Sequence, residues 1–360
     1  MSKATLVTNK TNIRYLSKFT GSSGFMLLAG KKQYLFTDFR YIQRAKNTIP
    51  KNIELIDSTK LWKDPETLKK NWQKILKDGK IEEIGMEESD ITLKTYNFFK
   101  KISPKIKFSS SDNETEKLRA VKTAEEIALI EESQRINEKA LVEIIKFIHA
   151  AIRKKRQITE AEAAWKIKLI GHELGAEDIS FDPIVAFGPN SASPHHEPGR
   201  SGLQPKPRKP VPIMIDMGMK YHGYCSDMTR VFFTDTPNAR QEEIYNTVLS
   251  AQEAALENIK AGVTGAEADK YAREIIVEAG YGEQYGHAGG HGVGLDIHES
   301  PSLSDKYTDP IPEGAIITIE PGIYLEGEFG IRIEDMCLVT KSGNENLTSV
   351  PKDLSRMILK

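Results

Sequence analysis

The organisation of this chain follows from one stretch, Ile213-Met-Ile-Asp216-Met-Gly-Met-Lys-Tyr-His-Gly-Tyr-Cys-Ser-Asp227-Met-Thr-Arg-Val-Phe-Phe233, which predicts a β-hairpin with a polar turn between two glycines. Side chains alternate along a strand, so Asp216 lies on the face opposite two isoleucines, and the returning strand carries Asp227 among apolar residues. A buried bare carboxylate is so costly that it must be protonated, paired or bound to a metal. The hairpin alone leaves open the alternative that both aspartates face water at a turn.

Length and charge narrow the class of protein. A chain of 360 residues exceeds one ordinary core and predicts two domains, or one large domain with a smaller partner. Its 50 basic and 51 acidic residues give a net charge of -1, so no overall field attracts nucleic acid or an anionic membrane. The sequence shows neither an apolar run of membrane-spanning length nor a signal-peptide layout after Met1, and we expect a cytoplasmic protein.

Cysteine and histidine usage indicates where polar chemistry concentrates. Two cysteines, Cys225 and Cys337, are too few for a disulfide framework or a cysteine-ligated zinc site, and their apolar strand patterns favour packing. Most of the eight histidines fall in two short segments: His195 and His196, then His287, His291 and His298. His287 and His291 are four residues apart, but the glycines between them and the missing glutamate exclude a helical zinc-protease motif.

The first third of the chain predicts a small α/β domain, residues 1–113. Residues 25–29 and 34–36 flank Gly30 as a hairpin, and Asp64 with Pro65 begins a helix that runs toward Leu76. A short strand follows at 80–85. The serine-rich stretch 109–113 is the predicted linker that closes the domain.

The remaining residues, 114–360, predict helices followed by strands, twice over. Besides a long helix after residue 123, helices are predicted at 161–174, 240–259 and 266–279. Three helices begin with the threonine and glutamate spacing of a capping box: Thr123 with Glu126, Thr159 with Glu162, and Thr264 with Glu267. Strands are predicted at 184–187, 315–319 and 331–339. This order predicts a pseudo-symmetric α+β domain with helices over one face of an antiparallel sheet, whose concave face would hold a site.

An exposed loop is predicted between residues 194 and 212, where prolines and basic side chains concentrate. These residues are Pro198, Pro205, Pro207, Arg208, Lys209 and Pro210. So short a basic run does not predict a nucleic-acid-binding surface.

Two later strands carry acidic residues beside apolar ones. Thr318 and Glu320 share one strand face, and so do Arg332 and Glu334. A charge on one strand face can simply be solvated. Four acidic residues and a histidine on strands or adjacent loops of one domain instead favour a shared polar centre.

The chain resembles a known family. The set Asp216, Asp227, His291, Glu320 and Glu334 has the order, spacing and local context of the five metal ligands of the pita-bread metallopeptidases, the class of methionine aminopeptidase, aminopeptidase P and prolidase. Residues 15–24, 35–40, 122–127 and 193–195 resemble the creatinase/prolidase branch, whose N-terminal domain methionine aminopeptidases lack. The resemblance covers nearly the whole chain. It implies a creatinase/prolidase-like N-terminal domain at 1–113 and a pita-bread catalytic domain with a pseudo-twofold internal repeat at 114–360.

The resemblance also implies roles for the acidic residues and His291. Asp216 would chelate one metal ion, His291 and Glu320 would complete the other, and Asp227 and Glu334 would bridge both. An oxygen-rich set favours Mn²⁺ or Co²⁺. Two dications about 3.5–4 Å apart lower the pKa of a shared water toward neutrality, and Glu320 would handle its proton.

The other site residues carried over from the family surround the substrate. His195 and His298 would contact the substrate and the tetrahedral intermediate, although a packed or loop histidine is the alternative for each. His287 would line the pocket, with Tyr324 and Arg332 behind the acidic ligands. His196 should point elsewhere.

The expected activity is hydrolysis of the peptide bond preceding proline, by an Xaa-Pro aminopeptidase or Xaa-Pro dipeptidase. The expected protein is a homodimer whose N-terminal domain limits peptide length. A methionine aminopeptidase-like exopeptidase and a non-catalytic peptide-binding protein on the same fold are the alternatives. The chain departs from the family pattern at Met336, where a second acidic residue is common, and at 208–214, before the first ligand.

Overall fold

The structure is a computed structural model that describes residues 2–59, 64–204, 207 and 209–359. It divides into two compact units, Met1–Arg119 and Ala120–Lys360. The domain division predicted between residues 113 and 114 stays a prediction. Pro205 and Arg208 of the predicted loop lie outside the described residues. The described helices lack the combination of length and apolar composition that crossing a bilayer requires.

A six-stranded sheet forms the first unit. Its strands are β1 (Ser2–Val7), β2 (Phe25–Ala29), β3 (Lys32–Thr37), β4 (Ile53–Asp57), β5 (Ile81–Met86) and β6 (Lys107–Ser110), in the order β4-β3-β2-β1-β5-β6. The predicted hairpin is confirmed, since β2 and β3 pair in antiparallel fashion around Gly30. The predicted linker at 109–113 begins too early, because Ser109 and Ser110 still pair with β5.

The helices described along residues 2–120 are α1 (Lys10–Ser17), α2 (Phe39–Thr48), α3 (Pro65–Asp78), α4 (Leu93–Ile102) and α5 (Glu114–Ala120). Asp64 caps α3 as predicted, because its side chain accepts hydrogen bonds from the backbone N–H groups of Glu66 and Thr67. On α3, Trp72 is fully buried. Its ring packs against Phe25, Phe36 and Phe99, and its indole N–H donates to the Ser103 hydroxyl at 2.7 Å.

The second unit contains long helices, α6 (Ala124–Arg153), α7 (Glu160–Glu173), α8 (Ala239–Asn258) and α9 (Gly265–Glu278). The capping boxes predicted at Thr123 and Thr264 are confirmed. The capping box predicted at Thr159 forms only one of its two hydrogen bonds. Its hydroxyl accepts from the Glu162 N–H, but the Glu162 carboxylate accepts from Arg156 at 2.7 Å instead of returning to the cap.

The strands of the second unit form several small sheets. They are β7 (Ile158–Thr159), β8 (Asp178–Ile179), β9 (Ile184–Phe187), β10 (Gly202–Leu203), β11 (Pro212–Met217), β12 (Met219–Tyr221), β13 (Tyr224–Cys225), β14 (Met228–Phe233), β15 (Gly290–Gly292), β16 (Glu299–Leu303), β17 (Ile316–Ile319), β18 (Gly322–Leu325), β19 (Phe329–Arg332), β20 (Asp335–Val339) and β21 (Asn344–Asn346). The largest has the order β16-β15-β17-β20-β21, and another has the order β14-β11-β9. His291 lies in the first of these sheets and Asp216 in the second, while Asp227, Glu320 and Glu334 lie directly beside strand ends.

The opening hairpin is more elaborate than predicted. Its arms are β11 and β14, with Asp216 opposite Thr229, but the intervening residues form a second small hairpin, β12 with β13, instead of one polar turn. Gly218 lies where the chain passes between them. A Cβ atom there would approach the Ser226 carbonyl oxygen to 2.0 Å, so only glycine fits.

The single strand predicted over 331–339 is wrong. The chain instead leaves β19, which pairs with β18, and enters β20, which pairs with β17. At this crossover the Ile333 N–H donates to the Pro321 carbonyl and the Glu334 N–H to the Thr229 carbonyl. Glu334 is therefore held at the junction between two sheets.

Both cysteines pack in the interior, as predicted, and both are free thiols. Cys225 is 1% exposed and Cys337 is fully buried. Burial raises the pKa of Cys225 to about 11 and also raises the pKa of Cys337. Each thiol therefore stays protonated at neutral pH.

Trp72→Ala is expected to lower the free energy of unfolding by about 3–5 kcal/mol, because it leaves a cavity among three phenylalanine rings. Urea denaturation followed by far-ultraviolet circular dichroism measures the change. Leu93→Ala is the matched control in the same unit, since Leu93 is 74% exposed, and it should shift the free energy by no more than about 0.5 kcal/mol. Equal effects of the two changes would contradict the packing described.

Candidate metal centre

Asp216 lies near the end of β11, a strand whose residues are all buried. Its Oδ2 accepts a hydrogen bond from Arg332 Nη2 at 2.6 Å. Its Oδ1 is buried and has no hydrogen-bond partner among the described residues. One oxygen of this carboxylate is thus fixed by a guanidinium, while the other is free to bind a cation.

Asp227 immediately precedes β14 and is 4% exposed. Its Oδ1, like that of Asp216, is buried without a partner in the described part of the chain. Its Oδ2 lies 3.6 Å from His291 Nε2. Burial, together with the nearby carboxylates of Glu334 and Asp216, raises the pKa of Asp227 well above its ordinary value.

Glu334 reaches the same centre from the crossover between β19 and β20. It is 2% exposed, and its Oε2 accepts a hydrogen bond from the Thr229 hydroxyl at 2.7 Å. Burial and the charges of Glu320 and Asp216 raise the pKa of Glu334 well above its ordinary value. Burial and the neighbouring negative charges therefore both oppose ionisation of this carboxyl group unless a positive charge lies close by.

His291 and Glu320 come from β15 and the end of β17, and Thr318 joins them. The Thr318 hydroxyl accepts from the His291 N–H at 3.0 Å and lies 3.3 Å from Glu320 Oε1, to which it donates. With the proton on Nδ1, His291 donates to the Gly292 carbonyl at 3.0 Å. Its Nε2 lone pair then faces Glu320 Oε1, 3.4 Å away. Burial lowers the pKa of His291 and raises that of Glu320.

These side chains fit a divalent cation. One ligand atom each from Asp227, His291 and Glu334 lie within 4.8 Å of one another. The facing atoms are hydrogen-bond acceptors, and two buried aspartate oxygens have no donor among the described residues. A cation satisfies such a set, whereas a water or a neutral side chain cannot donate to every member. Glu320 Oε1 lies 3.4 Å from His291 Nε2, and the charge of Asp216 acts on Asp227, Glu320 and Glu334. The structure therefore places the five predicted ligands in one neighbourhood, with the ligand atoms of Asp227, His291 and Glu334 close enough to share one ion. Their individual ligand roles stay predictions.

His298 and His195 lie beside this centre. The ring of His298 meets that of His291 edge to face, with centroids 4.2 Å apart. Burial and the neighbouring rings of His291 and His195 lower the pKa of His298, so its imidazole is neutral near pH 7. His195 is exposed, and its ring has no hydrogen-bond partner among the described residues. As expected, His196 points elsewhere and bonds Glu160.

His287, Tyr324 and Arg332 form a chain of hydrogen bonds. Arg332 Nη1 donates to the Tyr324 oxygen at 2.8 Å, and the Tyr324 hydroxyl donates to His287 Nε2 at 2.9 Å. His287 Nδ1–H in turn donates to the Ala288 carbonyl at 2.8 Å, which fixes the tautomer. Burial raises the pKa of Tyr324 to about 12 and lowers that of His287. The Tyr324 hydroxyl and the His287 ring are therefore both uncharged at neutral pH.

Sequence reasoning missed the residues that hold the acidic groups in place. The Thr229 hydroxyl accepts from Arg332 Nε at 3.0 Å while it donates to Glu334. Behind it, the fully buried Arg230 donates to the Glu334 carbonyl and to Asp335 Oδ1, each at 2.6 Å. The pairing of the hairpin arms gives a signal for Thr229, since it places this residue opposite Asp216. A charged residue in a strand rich in apolar side chains gives a signal for Arg230.

Comparison with known proteins agrees with this geometry. A model described as metallopeptidase family M24 matches residues 128–341, and one described as the creatinase/prolidase N-terminal domain matches residues 2–121. An Xaa-Pro dipeptidase of Pyrococcus horikoshii is 35% identical over 355 residues, which cover 98% of this chain and 94% of the relative.

Two solved structures are similar over almost the whole chain. An X-Pro aminopeptidase from Thermotoga maritima MSB8 superimposes with a TM-score of 0.85 and 36% identity, covering 98% of this chain and 97% of the other. An Xaa-Pro dipeptidase from Bacillus anthracis superimposes with a TM-score of 0.89 and 36% identity, covering 98% and 94%. The fold and its two-part organisation are therefore shared with these enzymes.

Thr229→Val is expected to weaken metal binding by about 10- to 100-fold, because valine keeps the volume but cannot donate to Glu334 or accept from Arg332. Isothermal titration of the metal-free protein with Mn²⁺ measures the affinity. Thr247→Val is the control, since the Thr247 hydroxyl bonds the Glu243 carbonyl within α8. An unchanged affinity in Thr229→Val would contradict the role assigned to this hydroxyl.

Proposed function

The chain belongs to metallopeptidase family M24, and we propose that it hydrolyses the peptide bond that precedes proline in short peptides, as an Xaa-Pro dipeptidase or aminopeptidase. The observation that carries this proposal is the buried set of carboxylates and one neutral imidazole, with acceptor atoms that face one another. Similarity over nearly the full length to two dipeptidases and an aminopeptidase of this class supports the choice of substrate.

We propose that two divalent ions are held by Asp216, Asp227, His291, Glu320 and Glu334. When bound, such ions would supply Lewis acidity, polarising the scissile carbonyl and lowering the pKa of the attacking water toward neutrality. Four carboxylates with one imidazole make a hard, oxygen-rich set, which supports Mn²⁺ first and Co²⁺ second.

In this proposal Glu320 moves the proton. Its Oε1, which accepts from the Thr318 hydroxyl, would take a proton from the attacking water and deliver it to the proline nitrogen as the C–N bond breaks. The proline nitrogen of the scissile amide carries no hydrogen, so its departure as an amine depends on this delivery. Thr318 would keep the carboxylate oriented through the transfer.

His298 and His195 are proposed to act on the substrate itself. A neutral His298 has one N–H that can donate to the oxygen on which negative charge develops. The exposed ring of His195 is free to donate to the peptide on the opposite side.

His287 would serve the proline ring differently, because both its nitrogens are already engaged. It therefore offers ring carbons to the substrate. Together with the ring of Tyr324, whose centroid lies 5.5 Å from its own, it supplies an apolar wall for the pyrrolidine ring.

We also propose a homodimer in the cytoplasm. Two free, buried thiols are compatible with that reducing compartment. Trp165, which is 70% exposed, and Leu169 lie one turn apart on α7 and are apolar side chains that a second copy would cover. Sedimentation velocity of the purified protein measures the assembly state.

At least one of Ala-Pro and Ala-Pro-Ala is expected to be cleaved with Mn²⁺ at a kcat/KM at least about 100-fold above that for Ala-Ala, because the site is shaped for the proline ring. The rates are measured by chromatographic detection of the released N-terminal residue. The ratio between the two proline peptides distinguishes a dipeptidase from an aminopeptidase.

Two controls accompany this panel. Chelation should abolish hydrolysis, and Mn²⁺ or Co²⁺ should restore it. Rates for both proline peptides equal to that for Ala-Ala would refute proline specificity, and preference for Met-Ala-Ser would indicate a methionine aminopeptidase.

Glu334→Gln is expected to lose metal and activity together, because a neutral amide cannot offset two dications. His298→Ala should keep its metal while kcat falls by about two orders of magnitude, since it removes a donor to the developing oxyanion. Elemental analysis and kinetics on the same preparations measure both properties. Loss of metal in His298→Ala would overturn the division between ligands and substrate histidines.

A further inference from the structure

We propose that Glu160 is a positioning residue, whose buried carboxylate fixes the segment 187–199 and thereby aims His195 at the substrate. This inference rests on the proposed function in one respect, the contact between His195 and the peptide. It concerns a residue outside the metal centre, at the first position of α7.

The Glu160 side chain binds both ends of the segment at once. Its Oε1 accepts from the Phe187 N–H and from Asn190 Nδ2, each at 2.8 Å. Its Oε2 accepts from His196 Nε2 at 2.9 Å and from the Gly199 N–H at 3.4 Å. One carboxylate therefore gathers four donors that span thirteen residues of chain.

Burial shows that these contacts are not incidental. Glu160 has no solvent exposure, and a carboxylate removed from water is tolerated only when donors replace its hydration. The helix does not need this side chain, because Thr159 caps α7 through the Glu162 N–H. The four donors from the segment are thus the reason that a charged residue can occupy this position.

The opposite side of the segment is tied to the metal centre. The Gly330 N–H donates to the Ser191 hydroxyl at 2.8 Å. Arg332 Nη1 donates to the Pro194 carbonyl at 3.3 Å, while Nη2 of the same guanidinium binds Asp216. The segment is consequently held between Glu160 on one side and Arg332 on the other.

His195 lies between the two attachment points. Pro194 precedes it and is bound by Arg332, and His196 follows it and is bound by Glu160. The His195 ring has no hydrogen bond of its own among the described residues, so its direction depends on its two neighbours. Loss of the Glu160 contact should let the histidine move without disturbing the ligands.

Two variants test this inference. Glu160→Gln leaves one acceptor oxygen in place of two and turns an amide NH₂ group toward the donors of the segment. His196→Ala removes one of these donors and leaves the carboxylate buried. Each should lower kcat/KM for whichever of Ala-Pro and Ala-Pro-Ala the wild type cleaves faster by about 10- to 100-fold, the effect of a misplaced substrate contact, with unchanged metal content. Glu162→Gln is the matched control, in the same helical turn but partly exposed and paired with Arg156, and should retain the wild-type rate.

A double-mutant cycle separates positioning from a general loss of structure. In the His195→Ala background, Glu160→Gln should cost less than about twofold, because the ring that it aims is absent. Full additivity of the two changes, or an unchanged rate in Glu160→Gln alone, would overturn the inference.

Hydrogen exchange supplies a readout that does not depend on the reaction. In Glu160→Gln the amides of Phe187 and Gly199 should exchange about tenfold faster than in the wild type, with no change in Glu162→Gln. Unchanged exchange would refute the role of Glu160 in holding the segment 187–199. If Glu160→Gln shows the faster exchange but the wild-type protein cleaves neither Ala-Pro nor Ala-Pro-Ala, the proposed function is refuted while the role of Glu160 in holding the segment stands.

Discussion

Repulsion among the carboxylates gathered at one buried centre is the constraint on which the surrounding structure depends. Burial raises the pKa of Asp227, Glu334 and Glu320, so the protein must supply positive charge or give up ionisation. Arg332 supplies part of that charge and distributes its N–H groups over Asp216, Thr229, Tyr324 and Pro194. Because one guanidinium cannot balance every acid, the remaining carboxylates can stay ionised only if cations bind beside them.

The sheets explain how such a centre can be rigid. Asp216 and Asp227 come from the two arms of one hairpin, while Glu320 and Glu334 come from the ends of strands in the second half of the unit. The crossover after β19 brings Glu334 against Thr229, so backbone and side chain are both bonded to the first hairpin. The positions of these carboxylates are therefore set by backbone pairing more than by side-chain freedom.

The fold could be predicted from sequence where the signal is local. Asp64 as a cap, the hairpin around Gly30 and the helix starts at Thr123 and Thr264 each depend on residues a few positions apart. The break before Glu334 could not be predicted in this way, because it depends on partners from other strands. The Glu162 carboxylate shows the same limit, since Arg156 competes with the cap for it.

The residues of the candidate site also fall into those that sequence patterns identify and those that they do not. The acidic residues and histidines could be named from order, spacing and resemblance, and the structure brings them together. Thr229, Arg230 and Glu160 could not be named so readily, because their partners lie from 27 to more than 100 positions away in the chain. A pattern of a few residues does not reveal which distant residue will form a hydrogen bond with a given polar side chain.

The two buried cysteines carry a practical consequence. A thiol reacts with alkylating reagents as its thiolate, and the raised pKa of Cys225 and Cys337 leaves almost none at neutral pH. The thiols of the folded protein should therefore react very slowly with maleimides. A single cysteine introduced at an exposed position such as Leu93 would accept one fluorophore, so labelled protein could be prepared without first replacing either natural thiol.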